Sequence, residues 1–313
     1  MNARRREYDV KLIVQPEAGD QPILGAIRHA KTMVNLLIFR LDDHALTHAL
    51  EKAIERGVAV RVLIAYKNRG GSHHLRRLEQ SMLRMGAQVA RTADDLVRYH
   101  GKMMIIDDRT LHLYGFNYTC LDLASRSFGI ITKNHKLVQE ALKLFNADTA
   151  RQPYKSRLST LIVSPENSRE RLTAFIEGAK RQLLIYDPHV KDEAILELLR
   201  QRAQKGVDIR IIGKVVGKHL HRRGLHVEAF PGRRLHVRSI IRDESYAFVG
   251  SQSLDREGLD ERREIGVMIN DKAVVREMYD VFMKDWAKTG HPAHEQRIVD
   301  VDEPAASREG AGA

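Results

Sequence analysis

The sequence predicts an α/β protein made of two tandem lobes, and three observations carry that prediction. Short apolar runs alternate with stretches of helical spacing from residue 9 onward, which argues for a sheet flanked by helices rather than an all-β sandwich. The same order of segments recurs 149 residues later. A His-x-Lys stretch at residues 100–102 is echoed by His-x-Arg at 236–238.

Taken in order, residues 9–14 form a strand candidate and residues 21–32 have helical spacing. Residues 36–39 are a second strand, and 45–56 an amphipathic helix stopped by Gly57, a C-terminal glycine signal. Residues 58–64 are a third strand. His100-Gly-Lys-Met-Met-Ile-Ile-Asp107 opens an apolar run and reads as a buried strand.

Leu12-Ile-Val-Gln-Pro-Glu17 returns as Leu161-Ile-Val-Ser-Pro-Glu166. Arg56-Gly-Val-Ala-Val-Arg-Val-Leu-Ile64 returns, at the same displacement, as Lys205-Gly-Val-Asp-Ile-Arg-Ile-Ile-Gly213. The stretch at 100–107 returns as His236-Val-Arg-Ser-Ile-Ile-Arg-Asp243, now 136 residues on. The shortfall falls between Gly57 and His100, where the first copy carries the basic segment 68–77 and a following helix, and the second only the basic stretch 217–224. Gly250-Ser-Gln-Ser253 stands opposite Gly115-Phe-Asn117, and helices over 138–145 and 275–282 close the two copies. The expected organisation is an N-terminal arm (1–8), a first lobe (9–150), a second lobe (151–290) and a mobile tail (291–313) rich in Ala, Gly, Pro and acidic residues.

With 313 residues, 43% of them hydrophobic and 30% charged, the chain has the composition of a soluble globular protein with ample core. A net charge of +11 implies an anionic partner: nucleic acid, an acidic membrane surface or a phosphorylated substrate. Cys120 is the single cysteine, which excludes an intramolecular disulfide and a cysteine-based zinc cluster. The basic N-terminus lacks the apolar segment of a signal peptide, and no apolar run approaches the roughly 20 residues that span a bilayer. The expected location is the cytoplasm, with membrane contact at most peripheral.

On a strand, side chains two apart share a face, so His100 and Lys102 are expected to enter one site. A neutral imidazole beside a fixed cation suits attack on a phosphodiester, because the cation holds the anionic oxygens while the ring nitrogen attacks phosphorus. Asp107 and Asp243 lie an odd number of residues from their histidines, so they face away and are expected to bond backbone or orient partners.

A histidine, one residue, a lysine, four residues and an aspartate, then a glycine-containing turn with asparagine, all repeated in a tandem α/β chain, resembles the phospholipase D superfamily. That superfamily includes phospholipases, cardiolipin and phosphatidylserine synthases, and some endonucleases. The resemblance spans residues 9–288 and implies a pseudo-twofold fold of two α/β/α lobes, each with a mixed sheet flanked by helices. It further implies one composite site where the motifs meet, a covalent phosphohistidine resolved by water or an alcohol, and no metal or other cofactor. By that resemblance His100 is expected as nucleophile, belonging to the more complete copy, and His236 as general acid. A pKa near neutrality suits the acid, which must later act as base.

The implied phosphate clamp is Lys102, Asn117, Arg238 and Ser253. Arg238 stands where the family has lysine and Ser253 where it has asparagine, and the planar guanidinium is no neutral substitute for an ammonium. Tyr114 replaces a small residue and is expected to narrow the pocket. Glu264 matches a glutamate that orients a catalytic histidine. Its counterpart in the first copy is Ser127, so only one histidine is expected to have a carboxylate partner. Ser251 is counted with Asp107, Asp243 and Glu264 as supporting. His73, His74, His219, His221 and His226 read as solvated surface, while Lys218, Arg222, Arg223, Arg233 and Arg234 are expected to line the entrance.

The expected function is a phospholipase D-like, cardiolipin synthase-like phosphodiesterase or phosphatidyltransferase acting on phospholipid headgroups. The alternatives are a metal-independent nuclease of the same superfamily and a degenerate phosphate-binding module. The low aromatic content, 6%, speaks against a base-stacking surface. A monomer is expected, because the duplication supplies both half-sites.

Overall fold

The computed structural model describes residues 10–67, 72–216 and 225–289. The first half runs β1 (Val10–Gln15), α1 (Gln21–His29), β2 (Met33–Ile38), α2 (His44–Glu55), β3 (Ala59–Ile64), α3 (His73–Arg84) and β4 (Gln88–Arg91). It continues through β5 (Arg98–Tyr99), β6 (Met103–Ile106), β7 (Thr110–Tyr114), α4 (Cys120–Leu123), β8 (Ser127–Thr132) and α5 (His135–Ala150). The second half runs β9 (Leu161–Val163), α6 (Ser168–Glu177), β10 (Gln182–Val190), α7 (Glu193–Gln204), β11 (Asp208–Val215) and β12 (Leu225–Glu228). There follow β13 (Ser239–Arg242), β14 (Tyr246–Gly250), a π-helical turn (Glu257–Glu261), β15 (Arg262–Arg263), β16 (Ile265–Ile269) and α8 (Lys272–Trp286).

Among the described residues each half builds a seven-stranded mixed sheet, ordered β1-β8-β7-β6-β2-β3-β4 in the first and β9-β16-β14-β13-β10-β11-β12 in the second. Replacing each strand by its repeat partner turns one order into the other. The duplication is therefore structural as well as sequential, and the fold is the paired α/β one that the sequence predicts. Local signals recur with it. Asp43 and Asp192 accept amide hydrogen bonds at the starts of α2 and α7, and Asn134 and Asp271 do so for α5 and α8.

Three apolar clusters fix the layers. One lies beneath α1, α2 and α3, and another beneath α6 and α7. The third is shared: Leu37, Met103 and Leu113 from the first sheet and Leu184, Ile241 and Val249 from the second pack with α5 and α8. Buried arginines tie the halves across it. Arg126 donates to Asp285 (2.7 Å) at the end of α8, and Arg263 lies 3.2 Å from Asp148 in α5.

Two elements differ from the sequence reading. The helix expected over 21–32 ends at His29, because the Asp107 carboxylate takes the amides of Lys31, Thr32 and Met33 and starts β2 early. The strand expected from His100 begins only at Met103. Residues 98–100 are drawn out of the first sheet by the other half: β5 pairs with β15 in parallel, and the His100 amide donates to Arg263 O at 2.7 Å. The reciprocal contact joins Arg126 to Leu235, with the His236 amide donating to Arg126 O. Each motif histidine is thus held by the backbone of the opposite half.

Candidate active site

His100 is buried, and its Nδ1 lies 2.9 Å from both carboxylate oxygens of Glu264. Lys102, fully buried, places Nζ 2.9 Å from His100 Nε2 and 3.0 Å from Nδ1. Phe39, just past β2, meets the imidazole edge-on at 4.6 Å and lies under the Lys102 ammonium at 5.5 Å. Ser251 links its hydroxyl to the backbone of Ile265, beside Glu264.

His236 is the second half's counterpart. Its Nδ1 lies 3.6 Å from Asp122 Oδ2, too long for a hydrogen bond, and has no closer partner among the described residues. Asp122 stands in α4 and accepts from the Asn117 amide (2.8 Å) and Asn117 Nδ2 (2.5 Å), with Arg234 on its other oxygen. Asn117 Oδ1 is buried and unpartnered among the described residues. Arg238 donates from Nε to Ser253 Oγ (2.8 Å) and from Nη1 to His236 O (3.0 Å).

Burial first, then the charges of Lys102, Arg238, Arg262 and Arg98, hold the His100 pKa well below 6.5. Its contact with Glu264 is accordingly a hydrogen bond from neutral Nδ1–H, which leaves Nε2 unprotonated and facing the Lys102 ammonium. Burial and Arg238 depress His236 as well, opposed by Asp122. Burial also pulls Lys102 down to about 7, with Arg238 adding to the effect and Glu264 opposing it. Burial raises Glu264. Lys102 and Arg238 act on both rings, so the two histidines share one electrostatic site. Among the described residues no group of three or more His, Cys, Asp or Glu side chains is spaced to hold a metal ion.

The family profile described as cardiolipin synthase, PLD-like domain, matches residues 23–149 and 172–286, one copy in each half. The chain belongs to that family, within the phospholipase D superfamily. Cardiolipin synthase 2 of Staphylococcus epidermidis is 24% identical over 319 residues, covering 84% of this chain and 65% of the relative. The PLD-like chain thus spans just under two thirds of that relative's length. Among solved structures, phosphatidylserine synthase from Haemophilus influenzae superposes with a TM-score of 0.69 at 11% identity, covering 90% of this chain and 89% of the other. Polyphosphate kinase from Porphyromonas gingivalis gives 0.75 at 21%, covering 89% of this chain and 47% of the other. These structural likenesses concern the fold.

The PLD-like site departs from the sequence reading in three places. Both histidines face a carboxylate, not one: Asp122 takes the place that Ser127 leaves empty, and the Ser127 hydroxyl is buried and unpartnered among the described residues. Asp122 went unnoticed because its repeat counterpart is Gly258; its position five residues after Asn117 is the signal that could have found it. Tyr114 packs into the first-half core against His112, Phe116 and Tyr118 and does not narrow the pocket. Arg234 is bound to Asp122 rather than free at the entrance.

Asp107 sits at the end of β2 opposite Phe39, capping amides, and Asp243 does the same for Lys180, Arg181 and Gln182 before β10. Arg233 and His226 are exposed, and His73 and His74 open α3. Lys218, His219, His221, Arg222 and Arg223 lie outside the described residues, as do residues 1–9, 68–71 and 290–313, which include the expected arm and tail.

Proposed function

We propose that the chain is a phosphatidyltransferase or phosphodiesterase that works through a phosphohistidine on His100. One observation carries this: His100 and His236 each turn Nδ1 toward a carboxylate of the opposite half, around the same two cations. Glu264 fixes the Nδ1–H tautomer of His100 and directs Nε2 at phosphorus. The Nε2 lone pair attacks, the bond to the leaving oxygen breaks, and His236 supplies that oxygen's proton. His236 then takes the proton of water or an incoming alcohol, whose oxygen attacks phosphorus and expels His100.

Lys102, Asn117 and Arg238 face the phosphate oxygens, with Ser253 steadying Arg238. The arriving anion offsets the cations that depress both imidazoles, which raises His236 toward the protonated form its acid role needs. The basic chain and a phospholipid substrate fit peripheral contact with an anionic membrane. Among the described residues no helix is long and apolar enough to cross one.

The test incubates the protein with phosphatidylglycerol vesicles and, separately, with single- and double-stranded DNA, then quenches in base. A new lipid product and phosphate label on His100, absent in His100→Asn, are expected. DNA cleavage without lipid product would make the protein a nuclease, and phosphate binding without any turnover would make it a binding module.

A further inference from the structure

The second-half rim of the site carries cations that this chemistry leaves unused. In β10, Asp187 pairs with Gly213 and Val190 with Val215, so Pro188 and His189 bulge outward opposite the single residue Lys214. His189, Lys191 and Lys214 are all exposed. The bulge is locked in place: the Asp187 carboxylate accepts from the amides of His189 (2.9 Å) and Leu254 (2.6 Å), and Leu254 O accepts from those of Lys191 (3.0 Å) and Asp192 (3.1 Å). Leu254 follows Ser253, which holds Arg238. The rim is therefore anchored one residue from the phosphate clamp.

These basic groups converge. Burial together with the charges of Lys214, Arg238 and Lys191 holds the His189 pKa below its ordinary value. Lys191 lies 3.8 Å from Asp255, and Lys214 makes no ion pair among the described residues. At the same repeat displacement the first half has Arg40, Asp42 and Ala65, so the mouth is lopsided. Like charges crowded on a fixed bulge are unfavourable alone and favourable around an anion.

We propose that His189, Lys191 and Lys214 form a second anion subsite beside Arg238, which takes a phosphate group on the substrate or incoming alcohol, one short linker from the reacting phosphorus. This rests on the phosphodiester chemistry proposed above.

Turnover of bis(p-nitrophenyl) phosphate reads that chemistry, and its inhibition by inorganic phosphate and by tripolyphosphate reads the subsite. Wild type should favour tripolyphosphate by about tenfold, as two exposed lysines beside Arg238 allow. Lys191→Ser/Lys214→Ser should cut the preference to about twofold. The charge-matched control Lys136→Ser/Lys272→Ser, at the starts of α5 and α8, which follow the ends of β8 and β16 remote from the motif histidines, should keep it. sn-Glycerol 3-phosphate and short-chain phosphatidylglycerol, each compared with glycerol as acceptor, tell free from lipid-borne phosphate. A preference lost in the double variant for either one supports the subsite and names its source. Equal preferences in wild type and double variant overturn it. Should wild type turn over no phosphodiester, the chemistry fails separately, and calorimetry of tripolyphosphate binding to both proteins still decides the subsite.

Discussion

Glu264, from the second half, grips the His100 ring of the first through both carboxylate oxygens at 2.9 Å, and it does so fully buried. A residue that only fixes a tautomer acts on the chemical step. Glu264→Gln should therefore lower kcat by about 10²- to 10⁴-fold, the range for positioned acid–base groups, with KM moving little. Steady-state kinetics on a soluble phosphodiester checks this, with circular dichroism confirming the fold. An unchanged kcat in a folded variant would remove Glu264 from the mechanism.

The Lys102 pKa of about 7 sets a pH dependence. The ammonium proposed to meet the phosphate is present below that value and lost above it, so kcat/KM of the free enzyme should fall as pH rises through about 7. Bound phosphate favours the charged form, so the corresponding limb in kcat should lie at higher pH. Profiles of both parameters distinguish them, and coincident limbs would contradict the assignment to Lys102.

Arg238 and Ser253, the second copy's two departures from the family pattern, are bonded to each other at 2.8 Å. They are one unit rather than two losses. Arg238→Lys or Ser253→Asn alone should each reduce kcat/KM by about tenfold, while the double substitution should recover most of it, a coupling of about 1–2 kcal/mol. Additive losses in the double-mutant cycle would show that the pair is not coupled.

The duplicated sheets were legible because the 149-residue displacement preserves apolar periodicity, which core packing enforces on both copies. Asp122 was not legible from the repeat: it acts on His236 across the interface from a short helix after the Asn117 turn, and the repeat offers Gly258 in its place. Nor was the release of residues 98–100 from the sheet, since an apolar run signals a strand but not which half its leading residues join. What escaped the sequence is what crosses between halves, where neither copy's local pattern carries the partner.

The interface also makes a stability prediction. Asp285, buried at the end of α8, accepts from Arg126 Nε and the Tyr186 hydroxyl, each at 2.7 Å. Arg126 also donates to Gln15 O and shares Glu17 with the solvent side. Asp285→Asn keeps the volume but leaves a buried guanidinium facing a neutral amide, and breaking a buried pair on one side costs about 3–5 kcal/mol. Urea unfolding should show that loss as a lower midpoint with an unchanged slope, because the same surface is exposed. Arg126→Met with Asp285→Leu removes both charges and should recover part of the stability, since a matched apolar pair avoids the desolvation cost. A single variant as stable as wild type would mean that the Arg126–Asp285 pair does not hold the halves together.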